Sequence, residues 1–199
     1  MTRTRGQVLI NARLDWASPA TRYMGTYAPD RQPKLEELLC ATARNKPDSR
    51  FIVAGPQYPD TIRWPANVMR IEHLEPRYHP LLYSSSRLVL NVTRRDMMIA
   101  GYSPSVRLFE AAACGAAIVS DNWTGLDELF TSGEDILLAS SSAEVLRHLN
   151  TSATELERIG NNARARVLAA HSCEHRARQF EDFIASVAGP RVQASAIGQ

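Results

Sequence analysis

The stretch RLVLNVTRRDMMIAGYSPSVRLFEAAACGAAIVS, Arg87–Ser120, decides the fold. It opens on RLVLNV (Arg87–Val92), a near-continuous apolar run of strand length, and closes on AIVS (Ala117–Ser120), a second such run. Continuous rather than alternating apolarity belongs to strands buried on both faces, as in a parallel sheet covered by helices. Between the two runs, Pro104–Cys114 reads as a helix. Ser103 is suited to be its N-cap, Pro104 its first residue and Gly115 its stop.

The same alternation continues on both sides. Tyr23–Thr26, Phe51–Ala54 and Val68–Ile71 read as short strands, and Ile136–Ala139 as the last one. Pro33 opens a helix with Leu35, Leu38 and Leu39 at helical spacing, and Pro76–Tyr83 reads as a shorter helix. Three helices begin near Ala143, Ala153 and Cys173, the second with Ser152 and Glu155 as a capping box. The last helix carries Ala177, Phe180, Ile184 and Val187 on one stripe, which predicts an apolar surface against it. The pattern predicts a doubly wound, Rossmann-like α/β fold with a parallel sheet of about six strands and C-terminal helices. The chain of 199 residues suits one α/β domain and is too short for two full ones. That domain is expected over residues 22–188, after an extension or interdomain linker remnant at 1–21 and before a disordered tail at 189–199.

A hydrophobic fraction of 44% and a charged fraction of 22% exclude a disordered chain, and no apolar run is long enough to span a bilayer. The formal charge of +2 is scattered along the chain, which argues against nucleic acid as a partner. Cys40, Cys114 and Cys173 are odd in number and far apart, as suits reduced thiols. Val8–Ile10 is too short for the apolar core of a signal peptide, so a cytoplasmic location is expected.

In an open α/β sheet, ligands bind beyond the carboxyl ends of the strands. A helix opening at Pro104 leaves the amides of Ser105 and Val106 without intrahelical acceptors, at a positive helix end that attracts phosphate. Arg107 adds charge. Glu110 lies about 7–8 Å further along the axis, the separation of a pyrophosphate from a ribose diol. Val106, Ala113 and Cys114 surround it on the helix, so an ionised carboxylate there needs donors. Ribose hydroxyls would serve, and so would a neighbouring Arg.

Other patterns are set aside on chemistry. Gly101-Tyr102-Ser103-Pro104-Ser105 has the outline of a hydrolase nucleophile elbow, but the oxyanion hole needs an N–H on the residue after the serine, and Pro104 has none. His171, Cys173 and His175 crowd together at a spacing that can hold zinc, yet Ser172 reads better as the cap of the last helix. No Gly-x-Gly occurs, and neither Lys34 nor Lys46 sits in a P-loop context.

Phe109-Glu110-Ala111, Cys114-Gly115 and Ser120-Asp121 resemble the donor-binding motif of group 1 GT-B glycosyltransferases. MGTYAPDRQ (24–32), FIVAGPQYP (51–59), NVTRRDM (91–97), SPSVRLFEAAACG (103–115) and GLDELF (125–130) resemble more closely the glycosyltransferase-like proteins grouped with spore maturation protein CgeB, over Tyr23–Phe183. The resemblance implies one half of a GT-B fold that binds a nucleotide diphosphate-sugar, with a UDP-sugar favoured and no metal required. It implies that Glu110 is the second Glu of a two-Glu motif and holds the ribose. The first Glu, near the donor sugar in such enzymes, is replaced by Tyr102. At the diphosphate, Thr26 stands where an Arg is usual and Arg31 where a Lys is usual; a guanidinium can chelate phosphate bidentately. His73 and Leu74 fall where base contacts are usual. With Ser103, Ser105, Val106 and Arg107 at the helix start, these residues form the expected donor site. The acceptor is undefined and would be held by an N-terminal acceptor domain or a separate chain, so the isolated chain is expected to transfer little sugar. A nucleotide-sugar-binding module without transfer activity is the alternative.

Overall fold

In strands buried on both faces, successive side chains enter two different cores. The computed structural model describes Trp16 and residues 20–188, so most of the expected extension and all of the expected tail lie outside the described residues. Six strands, β1 (Ala20–Met24), β2 (Arg50–Ala54), β3 (Val68–Ile71), β4 (Ser86–Asn91), β5 (Ile118–Ser120) and β6 (Leu137–Leu138), form one sheet in the order β3-β2-β1-β4-β5-β6. Every pairing is parallel. The strand order reverses between β1 and β4, which places the topological switch point, and the ligand crevice of such sheets, at their carboxyl ends.

One face is covered by α1, which runs over Gln32–Leu35, widens to a π-helical segment over Glu36–Ala41 and finishes over Thr42–Asn45, together with α5 (Ser142–Leu149). Leu35, Leu38 and Leu39 pack there against Phe51, Val53, Leu88, Leu90 and Val119. The other face is covered by α2 (His79–Ser84), entered through a 3₁₀ turn at Pro76–Tyr78, by α4 (Val106–Ala113) and by α6 (Ala153–Ala170). Leu82, Tyr83, Leu108, Ala111, Ala112, Ala163 and Val167 meet Ile52, Ala54, Val89 and Ile118 in that core. Phe51 and Ile52 therefore serve opposite cores, as do Leu88 and Val89, and this is why neither strand alternates with polar residues.

Four expectations change. β1 begins at Ala20 rather than Tyr23, because Arg22 is fully buried within it: its guanidinium donates to Ser85 Oγ at 2.8 Å and stacks on Trp16 at 5.5 Å. A short helix, α3 (Arg95–Ala100), fills part of the link after β4; it buries no residue and so leaves no apolar period in the sequence. Ser152 caps α6 through the Glu155 amide at 3.2 Å, but the Glu155 carboxylate turns to Arg158 at 2.6 Å rather than completing a capping box. In α7 (Cys173–Ala188) the apolar stripe does not lie against the domain: Phe180, Phe183, Ile184 and Val187 are all exposed.

Candidate functional site

The ends of the first three strands are drawn together by their backbones. The Gly25 amide donates to Ala54 O and the Gly55 amide to Ile71 O, both at 2.8 Å, so the ladder runs one residue past each strand. At Gly55, with φ +142°, a Cβ would lie 2.1 Å from the Gly25 carbonyl oxygen, an approach only glycine permits. Arg70 fixes the same edge from β3. Its guanidinium donates to Val53 O at 2.7 Å and Gly55 O at 2.8 Å while stacking on Tyr58, 4.1 Å from the ring centre. The Tyr58 hydroxyl in turn donates to Gly25 O at 3.0 Å.

Above this edge lies a crevice of about 190 Å³. Met24 and Thr26 line it at the end of β1, Ala54–Pro56 at the end of β2, Glu72, His73 and Leu74 after β3, His79 from α2 and Arg107 from α4. The structure thus brings together four of the expected residues, Thr26, His73, Leu74 and Arg107, beyond the carboxyl ends of β1, β2 and β3. Nε of Arg107 is buried and has no hydrogen-bond partner among the described residues. Arg31 is adjacent: its guanidinium donates to the Thr26 carbonyl and stands 5.9 Å from the ring centre of Tyr23. Burial raises the pKa of the Tyr23 phenol against the opposing pull of Arg31 and Arg107, so both guanidiniums place positive charge near this end of β1.

Glu110 follows Arg107 by three residues and Tyr83 follows His79 by four, so both lie one helical turn beyond the crevice wall on the same faces of their helices. There the Tyr83 hydroxyl donates to Oε2 of Glu110 at 2.9 Å. The carboxylate is half-buried on its apolar face, as the sequence indicates, but the donor is a tyrosine, neither an Arg nor anything the helical period of α4 could reveal.

The helix start is displaced from its expected place. Ser105, at φ −70° and ψ 134°, is the N-cap, and neither its side chain nor that of Ser103 caps the helix. Pro104 and Ser103 precede it. Leu108 N bonds Ser105 O at 3.1 Å, so the free first-turn amides are those of Val106 and Arg107, one residue later than expected. Tyr102 and Val106 do not reach the crevice. They line, with Pro104, Phe109 and Leu129, a separate apolar groove of about 620 Å³ on the far side of α4. Tyr102 takes a left-handed conformation, φ 48°, its amide bonded to Thr124 O at 2.8 Å. A second tie joins the ends of β4 and β5: buried Asp121 accepts from the Thr93 hydroxyl at 2.7 Å and from its amide at 3.0 Å. Burial nevertheless pushes the Asp121 carboxyl up, outweighing the pull of the Thr93 donors.

At the start of α7, Ser172 Oγ accepts from the His175 amide at 3.3 Å, as the capping role predicts. Among the described residues no three His, Cys, Asp or Glu side chains converge as metal ligands, and none of the three cysteines is in a disulfide. No helix among them is long and apolar enough to cross a membrane.

The family described as glycosyl transferase-like matches residues 31–182, most of the chain. The chain belongs to this family. Solved structures show the same fold at low identity. Sucrose-phosphate synthase from Thermosynechococcus elongatus superposes with a TM-score of 0.71 at 17% identity, covering 89% of this chain and 47% of that one. HepE from Anabaena, in complex with UDP and glucose, gives 0.72 at 16%, covering 94% and 53%. The C-terminal domain of a glycosyl transferase group 1 family protein (LpcC) from Francisella tularensis gives 0.61 at 14%, covering 87% and 95%. This glycosyl transferase-like chain therefore has the architecture of one half of a GT-B fold and spans about half the length of the first two. No match was found among curated proteins.

Proposed function

We propose that the chain is the donor-binding domain of a glycosyltransferase, of the CgeB-like kind, and that its crevice takes a nucleotide diphosphate-sugar with UDP as the nucleotide. The observation behind this reading is a small crevice beyond the carboxyl ends of β1, β2 and β3 whose lining includes Arg107, the Nε of which is buried and has no hydrogen-bond partner among the described residues. Buried N–H groups without an acceptor are uncommon, and an oxygen of a bound phosphate would supply one here. The free amide of Arg107 at the start of α4 and the guanidinium of Arg31 add to a phosphate site, which needs no metal to neutralise the leaving diphosphate. His73 and Leu74 flank the base, and Glu110 accepts from the ribose. HepE, whose fold this chain shares, is described in complex with UDP and glucose. The acceptor and the rest of the catalytic apparatus come from a second domain or chain.

Titration calorimetry of UDP against wild type and Glu110→Gln tests the reading. Loss of charged hydrogen bonds to the ribose amounts to about 1.5–3 kcal/mol, or roughly ten- to a hundredfold in affinity, with the melting temperature preserved. Unchanged affinity would place the ribose elsewhere.

A further inference from the structure

We infer that Tyr83 is a positioning residue for nucleoside recognition, holding the Glu110 carboxylate so that its second oxygen faces a ribose diol. The inference rests on the ribose role of Glu110 proposed above. Tyr83 sits on α2, only 1% exposed, and its hydroxyl donates to Oε2 of Glu110 at 2.9 Å. Among the described residues Oε1 has no hydrogen-bond partner, so one carboxylate oxygen is engaged by the protein and the other is open. The terminal torsion of a glutamate is broad, and a free carboxylate samples many orientations. A donor fixed in a packed core selects one of them before ligand arrives, which lowers the ordering cost of binding.

The chemistry of the pair makes the donor permanent. Burial, with the nearby Glu110 charge, raises the pKa of the Tyr83 hydroxyl, so it stays protonated across the neutral range. A phenol that can only donate to a carboxylate cannot swap roles with the incoming hydroxyls. The arrangement leaves Glu110 as acceptor for two partners of different kinds, one protein and one ligand. Nothing in the sequence of α4 signals it, since the partner lies 27 residues earlier on another helix.

The test uses the full chain and two probes, UDP and 2′-deoxyuridine 5′-diphosphate, in wild type, Tyr83→Phe, Glu110→Gln and the double variant. The readout is the ratio of the two affinities, beside the melting temperature. Tyr83→Phe keeps the shape of the side chain. It is expected to shrink the preference for UDP three- to tenfold, with a melting temperature within a few degrees of wild type and no further shrinkage when added to Glu110→Gln. If Tyr83→Phe lowers both affinities equally, or only lowers the melting temperature, Tyr83 is structural and the inference is overturned while the ribose reading stands. If Glu110→Gln itself leaves the preference intact, the ribose reading fails, and the inference fails with it.

Discussion

A Cβ on Gly125 would lie 2.5 Å from Cδ1 of Tyr102, so the loops after β4 and β5 are in direct contact at a point where one side must be glycine. The amide of Tyr102, bonded to Thr124 O at 2.8 Å, locks the same contact from the backbone. The strained backbone of Tyr102 is held there by packing, and through it the start of α4 is held too.

Gly125→Ala should therefore cost about 1–3 kcal/mol of stability, from the displaced ring and from its own φ of +95°. Tyr102→Ala in the same chain should recover part of that loss. Denaturant unfolding of both single variants and the double gives the coupling, and strictly additive effects would show that the two residues do not constrain each other.

Arg107→Ala should weaken UDP binding by roughly ten- to a hundredfold, as for a lost charged hydrogen bond of about 1.5–3 kcal/mol, yet leave uridine within about threefold. The contrast between diphosphate and nucleoside, read by calorimetry, assigns the guanidinium to the phosphates. Equal losses would assign it to the nucleoside.

UDP affinity should survive EDTA, because backbone amide and guanidinium groups rather than a metal ion face the phosphates. Binding seen only after magnesium or manganese is restored would sink that arrangement.

Asp121 sets a pH dependence. Its carboxyl titrates higher in the fold than in the unfolded chain, where about 3.9 is usual, so the native state binds the proton more tightly. Its stabilising contribution is complete below pH of about 4 and is lost as pH rises through the higher folded value. The stability of wild type relative to Asp121→Asn should therefore fall with rising pH across that window. Urea unfolding of both proteins from pH 4 to 7 measures it, and a gap that widened with pH would reverse the sign.

The strands were legible because double-sided burial writes itself as unbroken apolar runs, as at Phe51–Ala54 and in the run holding Leu88, Val89 and Leu90. β1 was legible only in part, since Arg22 reads as a surface residue until its partners Ser85 and Leu82, some sixty positions away, are known. The helix start slipped by two residues because Ser103-Pro104 and Ser105 compete for the cap, and local preference does not rank an extended Ser105 above them. Glu110 was legible as a carboxylate in need of donors; Tyr83, Arg70 and Tyr58 were not, because each acts through a contact between elements. The apolar stripe of α7 was read correctly as apolar, but a helical period reports amphipathicity and not what the apolar face touches.

The position of β1 between β2 and β4 has a kinetic side. Met24, Thr26, Gly55, His73 and Leu74 all precede β4, whereas Arg107 and Glu110 follow it. The walls of the crevice, with Arg31 beside them, can form from the first three strands alone, but Arg107 arrives only when β4 docks beside β1, a pairing of residues as distant as Tyr23 and Leu90. Closing such a separation is slow compared with local contacts. Full anion affinity should thus emerge late during refolding, after most of the β-structure, and a diphosphate that bridges the two halves would act as a clamp on the completed state, slowing its unfolding more than it speeds its formation.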